Sequence, residues 1–220
     1  MRPPFPIRGE QAAEIAAALR ADILSGVLPP DTALGQQEIA ARFSVSRLPV
    51  REALRLLEHD GLVQIEPNKT ARVTRLRIAD LIELGEMRVA AETLALSRSM
   101  PHLSDAQIAA AEAIQTRMEA APPAAFAELN AAFHRQLYLP AGRPRLIGHI
   151  DALGLLSERY LRRAVEKLDY AGASHSEHHA ILRACRARDA DRAISLLSAH
   201  IDTAVRTLAA ALADTSQVAD

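Results

Sequence analysis

Val45-Ser46-Arg47-Leu48-Pro49-Val50-Arg51-Glu52-Ala53-Leu54 is the stretch on which the reading of this chain turns. Arg47, Arg51 and, beyond it, Arg55 recur at i, i+4 and i+8. A helix starting near Arg47 therefore carries them as one basic stripe, drifting about 40° per step. Val50, Leu54 and Leu57 fall on a different face and can pack against a core. Ser46 suits the position before the first turn, Pro49 is tolerated inside that turn, and Gly61 follows Asp60 as a stop. Arginines at the start of such a helix suit the major groove, because the planar guanidinium can bond guanine O6 and N7 together. The same spacing also describes an ordinary solvated face, and spacing alone does not separate the two.

The flanking elements favour the first alternative. Ile15, Leu19, Ile23 and Leu24 mark a helix over Glu10 to Ser25, with Gly26 as its stop and a turn over Val27-Leu28-Pro29-Pro30-Asp31. A second helix fits Gln36 to Phe43, and Ser44-Val45-Ser46 separates it from the basic one. Two β-like runs follow, Leu62–Glu66 and Ala71–Thr74, joined by the turn residues Pro67-Asn68-Lys69-Thr70. Three helices and a hairpin make a winged helix-turn-helix. Lys69 and Arg72 are placed in the wing to reach the DNA backbone or the minor groove.

Beyond a linker at Arg75 to Asp80 the pattern is helical throughout. Helices are predicted at about 78–100, 104–120, 123–139, 144–169, 173–188 and 190–213, punctuated by Pro101, Pro122-Pro123, Gly142 with Pro144, Gly172 and Asp189. Ser104-Asp105 and Asp189 are suitable N-caps. Short connections imply an antiparallel bundle. The predicted fold is mostly α: a winged helix-turn-helix domain over 8–75 and an all-helical domain over 76–214. Aromatic residues are 3% of the 220 and glycines number nine, a composition that suits helices better than β-sandwiches. The net charge of −1 rules out whole-chain attraction to nucleic acid, so DNA contact must come from a local basic face. The single cysteine, Cys185, excludes an intramolecular disulfide and fits a cytoplasmic setting. No apolar run approaches the ~20 residues of a membrane span. Met1-Arg2-Pro3-Pro4-Phe5-Pro6 lacks an apolar signal core and reads as a short arm.

Residues 13–75 closely resemble the DNA-binding domain of the GntR family of bacterial regulators. The resemblance rests on Ile23-Leu24-Ser25-Gly26-Val27-Leu28-Pro29, Glu38-Ile39-Ala40-Ala41-Arg42-Phe43, the stretch Val45–Leu54, and Leu57-Glu58-His59-Asp60-Gly61-Leu62-Val63. It implies that Arg47 and Arg51 contact operator bases or adjacent phosphates, with Ser46 and Gln37 assisting. Leu48 replaces the usual Thr, Asp31 stands where Gly is common, Gln37 occupies a position basic in some relatives, and Thr70 replaces the usual wing-tip Gly. Residues 76–212 resemble the FCD-type ligand-binding domain of the FadR subfamily, through Glu86-Met87-Arg88-Val89-Ala90-Ala91-Glu92, Asn130-Ala131-Ala132-Phe133-His134, Glu177-His178-His179-Ala180-Ile181-Leu182 and His200. The implied function is a homodimeric regulator that binds double-stranded DNA at an inverted-repeat operator. Its effector would be a small organic acid, and its possible cofactor a divalent metal.

The residue types carry chemistry of their own. Asn130 and His134 project from one helix face. His178 and His200 lie 22 residues apart on successive helices, so a helical hairpin can bring them level. Three imidazoles converging inside a bundle would make a nitrogen site suited to Zn²⁺ or Ni²⁺ rather than Mg²⁺. Each histidine alone has an ordinary alternative as a surface or hydrogen-bonded core residue. The family usually places Asp where Asn130 stands, so this site is expected to bind metal more weakly than is typical, or not at all. Arg88, within an otherwise apolar helix, needs an anionic partner: Glu92 at i+4, or the carboxylate of an effector. Tyr138 is a further effector-pocket candidate, although an exposed face also explains it. An enzyme is not supported. No base motif stands beside the histidines, no Gly-rich phosphate loop is present, and Cys185 lacks a nucleophile context.

Overall fold

The computed structural model describes residues 8–66, 70–165 and 170–213. Lys69 lies outside them. The chain divides into two compact units between Leu76 and Arg77.

In the first unit, helices α1 (Arg8–Leu24), α2 (Gln36–Phe43) and α3 (Arg47–His59) enclose one core. Ile15, Leu19 and Ile23 of α1 meet Val50, Ala53, Leu54 and Leu57 of α3, all at most 4% exposed. Arg42 pairs with Asp22 at 2.6 Å, and Arg20 pairs with Asp60, tying α2 and the end of α3 to α1. Ser46 occupies the N-cap position of α3 with an extended backbone, but its side chain makes no capping hydrogen bond.

The expected hairpin is a three-stranded antiparallel sheet. Strands β1 (Ala33–Leu34), β2 (Val63–Gln64) and β3 (Ala71–Val73) lie in the order β1-β3-β2, with Leu34 opposite Ala71 and Val63 opposite Val73. Strand β1 has only two residues, too few to show a period. Just before it, Asp31 adopts φ 67, the left-handed conformation that glycine takes most easily and Asp tolerates better than most residues. This is the physical reason that Gly is common at that position. Asp31 donates its N–H to Val73 at 2.9 Å, accepts from Arg72 on its carbonyl at 2.8 Å, and pairs its carboxylate with Arg75 at 3.0 Å. The Arg72 guanidinium is thus engaged by the turn at Asp31, a placement that the wing pattern alone does not predict.

The second unit contains, among the described residues, α4 (Ile78–Ser99), α5 (Asp105–Ala120), α6 (Phe126–Tyr138), α7 (Pro144–Val165), α8 (Tyr170–Arg186) and α9 (Ala190–Ala213). Helix α4 packs on α9 and α7, α5 on α6 and α8, and α8 on α9. Ser104 and Gln107 form a capping box on α5, and the Asp189 carboxylate accepts from the Arg192 N–H at the start of α9. Gly172, read as a break, lies inside the first turn of α8, where a glycine interrupts little. The predicted helix from 123 begins instead at Phe126, after a 3₁₀ turn over Pro123–Ala125. Cys185 is fully buried, and burial pushes its thiol up to about 11.

Helices α4 and α9 meet closely at Gly85. A Cβ built there would stand 2.5 Å from Cγ2 of Val205. A helical valine is stiff at χ1 and cannot easily turn that methyl away. Gly85→Ala should therefore lower the stability of the full chain by about 1–3 kcal/mol, despite the better helix propensity of alanine. Denaturant unfolding measures the loss, and adding Val205→Ala should recover part of it.

Candidate functional site

The basic stripe emerges as an exposed face. Arg47, Arg51 and Arg55 are exposed on α3, on the side away from its buried Val50, Leu54 and Leu57. Gln37 and Ser46 are exposed nearby, and the Gln37 carboxamide oxygen accepts from Arg47 at 3.0 Å. That bond joins the start of α2 to the start of α3, so Gln37 and Arg47 sit side by side. Such a face can meet phosphates and base edges, since it offers donors at a positive helix end.

In the second unit, three histidines from three helices converge. His134 of α6, His178 of α8 and His200 of α9 are 4%, 0% and 3% exposed, with ligand-capable nitrogens all within 4.8 Å of one another. Each ring is held by Nδ1. His178 donates to the Gln115 carboxamide oxygen at 2.8 Å, and His200 donates to Glu177 at 2.7 Å. His134 Nδ1 lies 3.2 Å from the Tyr138 hydroxyl, which itself donates to Glu92 at 2.7 Å. The Nε2 atoms of His178 and His200 are 3.3 Å apart. The Nε2 of His134 is buried without a hydrogen-bond partner.

These observations fit a metal ion. With Nδ1 donating, each Nε2 presents a lone pair inward; the Ser174 hydroxyl lies 3.5 Å from that of His178, but lone pairs facing each other across the cluster are unfavourable without a cation between them. A tetrahedral site with Zn–N near 2.0–2.1 Å places its nitrogens about 3.3 Å apart, which is the His178–His200 separation. Protons are a poor substitute. Burial holds His134 and His178 well below the ordinary imidazole range, and neighbouring charges push them further down: His178, His200 and Arg88 for His134, and His200, His175 and His179 for His178.

Beside the cluster opens a cavity of about 240 Å³, lined by Arg88, Asn130, His134, Arg135 and His200 among others. Arg88 and Glu92 form a 2.6 Å ion pair, so the structural partner expected at i+4 is present even as Arg88 reaches the cavity wall. Asn130 is half-buried one turn before His134. Tyr138 is not among the residues lining that cavity. It is fully buried, and its hydroxyl is spent on Glu92 and His134, which places it behind the histidines rather than against an effector. Burial and the adjacent Glu92 charge raise its phenol well above the usual range.

Comparison with known proteins agrees with both halves. Residues 11–73 match the bacterial regulatory proteins of the gntR family, and residues 83–203 match the FCD domain. The chain belongs to the GntR family. It is 31% identical over 198 residues to the uncharacterized HTH-type transcriptional regulator BphR of Paraburkholderia xenovorans, covering 85% of this chain and 80% of that one. The HTH-type transcriptional repressor GlaR of Escherichia coli is 26% identical over 207 residues, covering 89% and 94%. The crystal structure of a GntR family member from Pseudomonas syringae covers 96% of this chain and 90% of that one, at 31% identity and a TM-score of 0.59. The protein is thus a DNA-binding transcription regulator with an FCD domain, from a family of regulators rather than enzymes.

Two supporting residues of this GntR-family site had no role in the sequence reading. Gln115 sits among Ile108, Ala111 and Met118 on the buried stripe of α5, and a lone amide on an apolar stripe was the available signal. Glu177 adjoins His178, but nothing in the spacing says that it serves His200 instead. Among the described residues, no helix is long and apolar enough to cross a membrane.

The depressed histidines set a pH dependence. Their folded pKa values lie below the unfolded value near 6.5, so on acidification the unfolded chain takes up protons first. Stability is therefore fully present above about pH 7 and is lost as the pH falls through 6.5, by up to about 1.4 kcal/mol per pH unit for each histidine. Denaturant unfolding of the metal-free chain between pH 8 and pH 5 should show this slope, and His178→Gln should flatten it.

Proposed function

We propose that this regulator is a cytoplasmic repressor. It binds an inverted-repeat operator as a homodimer, and its affinity for that operator is set by a small organic acid and a divalent metal held in the C-terminal unit. The observation that carries this reading is a cluster of three buried histidines, two of which, His134 and His200, line one cavity with Arg88, in a chain whose other unit exposes an arginine stripe. Arg47 and Arg51 read the operator, Ser46 and Gln37 assist, and Lys69 is a further candidate for contact with the DNA backbone or the minor groove. The sense of regulation is supported by relatives named as repressors, GlaR among them.

The DNA-binding domain spans 8–75, and the ligand-binding and dimerisation domain spans 76–214. Two α3 helices enter successive major grooves, as the symmetry of a dimer on a palindrome requires. His134, His178 and His200 would hold Zn²⁺ or Ni²⁺, which when bound supplies Lewis-acid charge at the cavity wall. Asn130 offers only an amide dipole where a carboxylate would add a ligand and a charge. Arg88 receives the carboxylate of the effector. Effector binding that changes the placement of the DNA-binding units by a coupling of about 1–3 kcal/mol alters operator affinity 5–150-fold.

A duplex selected from a random library by the wild-type protein serves as the operator probe. At fixed salt, Arg47→Ala and Arg51→Ala should each weaken binding to it by about 1–3 kcal/mol while helical content stays unchanged. Variants that bind like wild type would remove these arginines from the interface.

The metal is tested by elemental analysis of protein purified without a histidine tag, followed by Zn²⁺ and Ni²⁺ titrations. Asn130→Asp should tighten binding and His178→Ala should weaken it, and affinity should fall in acid as the imidazoles protonate. Wild type without metal, together with no gain from Asn130→Asp, would mean that the cluster is a metal-free pocket.

A further inference from the structure

Glu92 is a buried carboxylate, 1% exposed, whose two oxygens serve different partners. Oε1 accepts from Arg88 Nε at 2.6 Å, and Oε2 accepts from the Tyr138 hydroxyl at 2.7 Å. A phenol has one proton. Once Tyr138 gives that proton to Glu92, its oxygen can only accept from His134 Nδ1, 3.2 Å away. His134 must then keep its own proton on Nδ1 and leave Nε2 bare, and this is the buried nitrogen without a partner. Gln115 and Glu177 achieve the same for His178 and His200 by direct contact. For His134 the instruction arrives through Tyr138.

We propose that Glu92 is a positioning residue shared by both halves of the site: through Tyr138 it keeps the His134 proton on Nδ1 and so turns the bare Nε2 lone pair toward His178 and His200, and directly it holds Arg88 at the cavity wall. The proposal rests on the metal-and-acid reading above and adds the link between its two ligands. A cation on Nε2 makes the Nδ1–H more acidic and strengthens the chain from His134 through Tyr138 to Glu92. The carboxylate is drawn toward Tyr138 and competes less for Arg88, so an anion arriving at Arg88 meets a weaker rival. Linkage makes the effect reciprocal: an anion on Arg88 releases Glu92 charge to the histidine side and tightens the metal.

The full chain, metal-free and labelled with ¹⁵N-histidine, gives the decisive readout. Long-range ¹H–¹⁵N correlations, with His134 assigned by its loss in His134→Gln, should show the Nδ1–H tautomer. In Tyr138→Phe the His134 signal should move to the Nε2–H form or a mixture, while His178 and His200 stay unchanged. Zn²⁺ titrations should then show about a 10–100-fold loss of affinity in Tyr138→Phe and in Glu92→Gln. Arg88→Gln should bind Zn²⁺ several-fold more tightly, because the whole carboxylate charge then serves Tyr138. An unchanged His134 tautomer in Tyr138→Phe overturns the positioning role, and unchanged or weaker Zn²⁺ binding in Arg88→Gln overturns the sharing. Wild type that takes up no Zn²⁺ overturns the metal reading itself, a failure separate from the tautomer, which is read without metal.

Discussion

Three imidazoles buried at one point of a helical bundle impose most of what surrounds them. Burial disfavours the charged form of His134 and His178, and each of the three rings has an Nδ1–H that needs an acceptor. Gln115, Glu177 and the Tyr138–Glu92 pair are those acceptors, and Glu92 in turn needs the cation of Arg88. Helices α4, α5, α6, α8 and α9 each contribute at least one of these residues, so the polar centre of the bundle and its candidate binding site are the same object. An amide, a phenol or a carboxylate removed from this set leaves a buried group unsatisfied, which costs more than its own bond contributed.

The DNA-facing unit is organised on the opposite principle. Its chemistry needs exposure, so the arginines of α3 stand on the solvent face while ion pairs behind them, Arg20–Asp60 and Arg42–Asp22, brace the helices. A net charge of −1 means that attraction to DNA is confined to this face, and that binding should weaken steeply with salt in proportion to the phosphates engaged. Precision in one unit comes from satisfied burial, and in the other from a packed scaffold under exposed side chains.

The sequence makes the helices legible because their apolar positions recur at helical spacing, and α3 is the plainest case, with Val50, Leu54 and Leu57 on one side and three arginines on another. Strand β1 is invisible for the converse reason: two residues paired to a strand almost forty positions later leave no local trace. Gly172 misleads because a glycine in a first helical turn looks the same in sequence as one between helices. The three histidines are legible as a set only through their motifs. The web behind them is not, since whether Tyr138 faces a cavity or a histidine depends on the rotation of α6 against α4, which spacing does not fix. Arg88 shows the limit most clearly: spacing offers Glu92 or an effector carboxylate as its partner, and the structure has the Glu92 pair while leaving Arg88 on the cavity wall.

Cys185 gives the chain a built-in clock. It is the sole sulfhydryl in the sequence, it is fully enclosed in the second unit, and burial keeps it in the unreactive thiol form. An alkylating reagent can reach it only when the bundle around α8 opens. The rate of modification therefore counts openings of that unit. Any ligand that settles into the C-terminal unit should slow the clock in proportion to how tightly it binds, which lets an unlabelled compound collection be screened by mass spectrometry without an operator or a reporter gene.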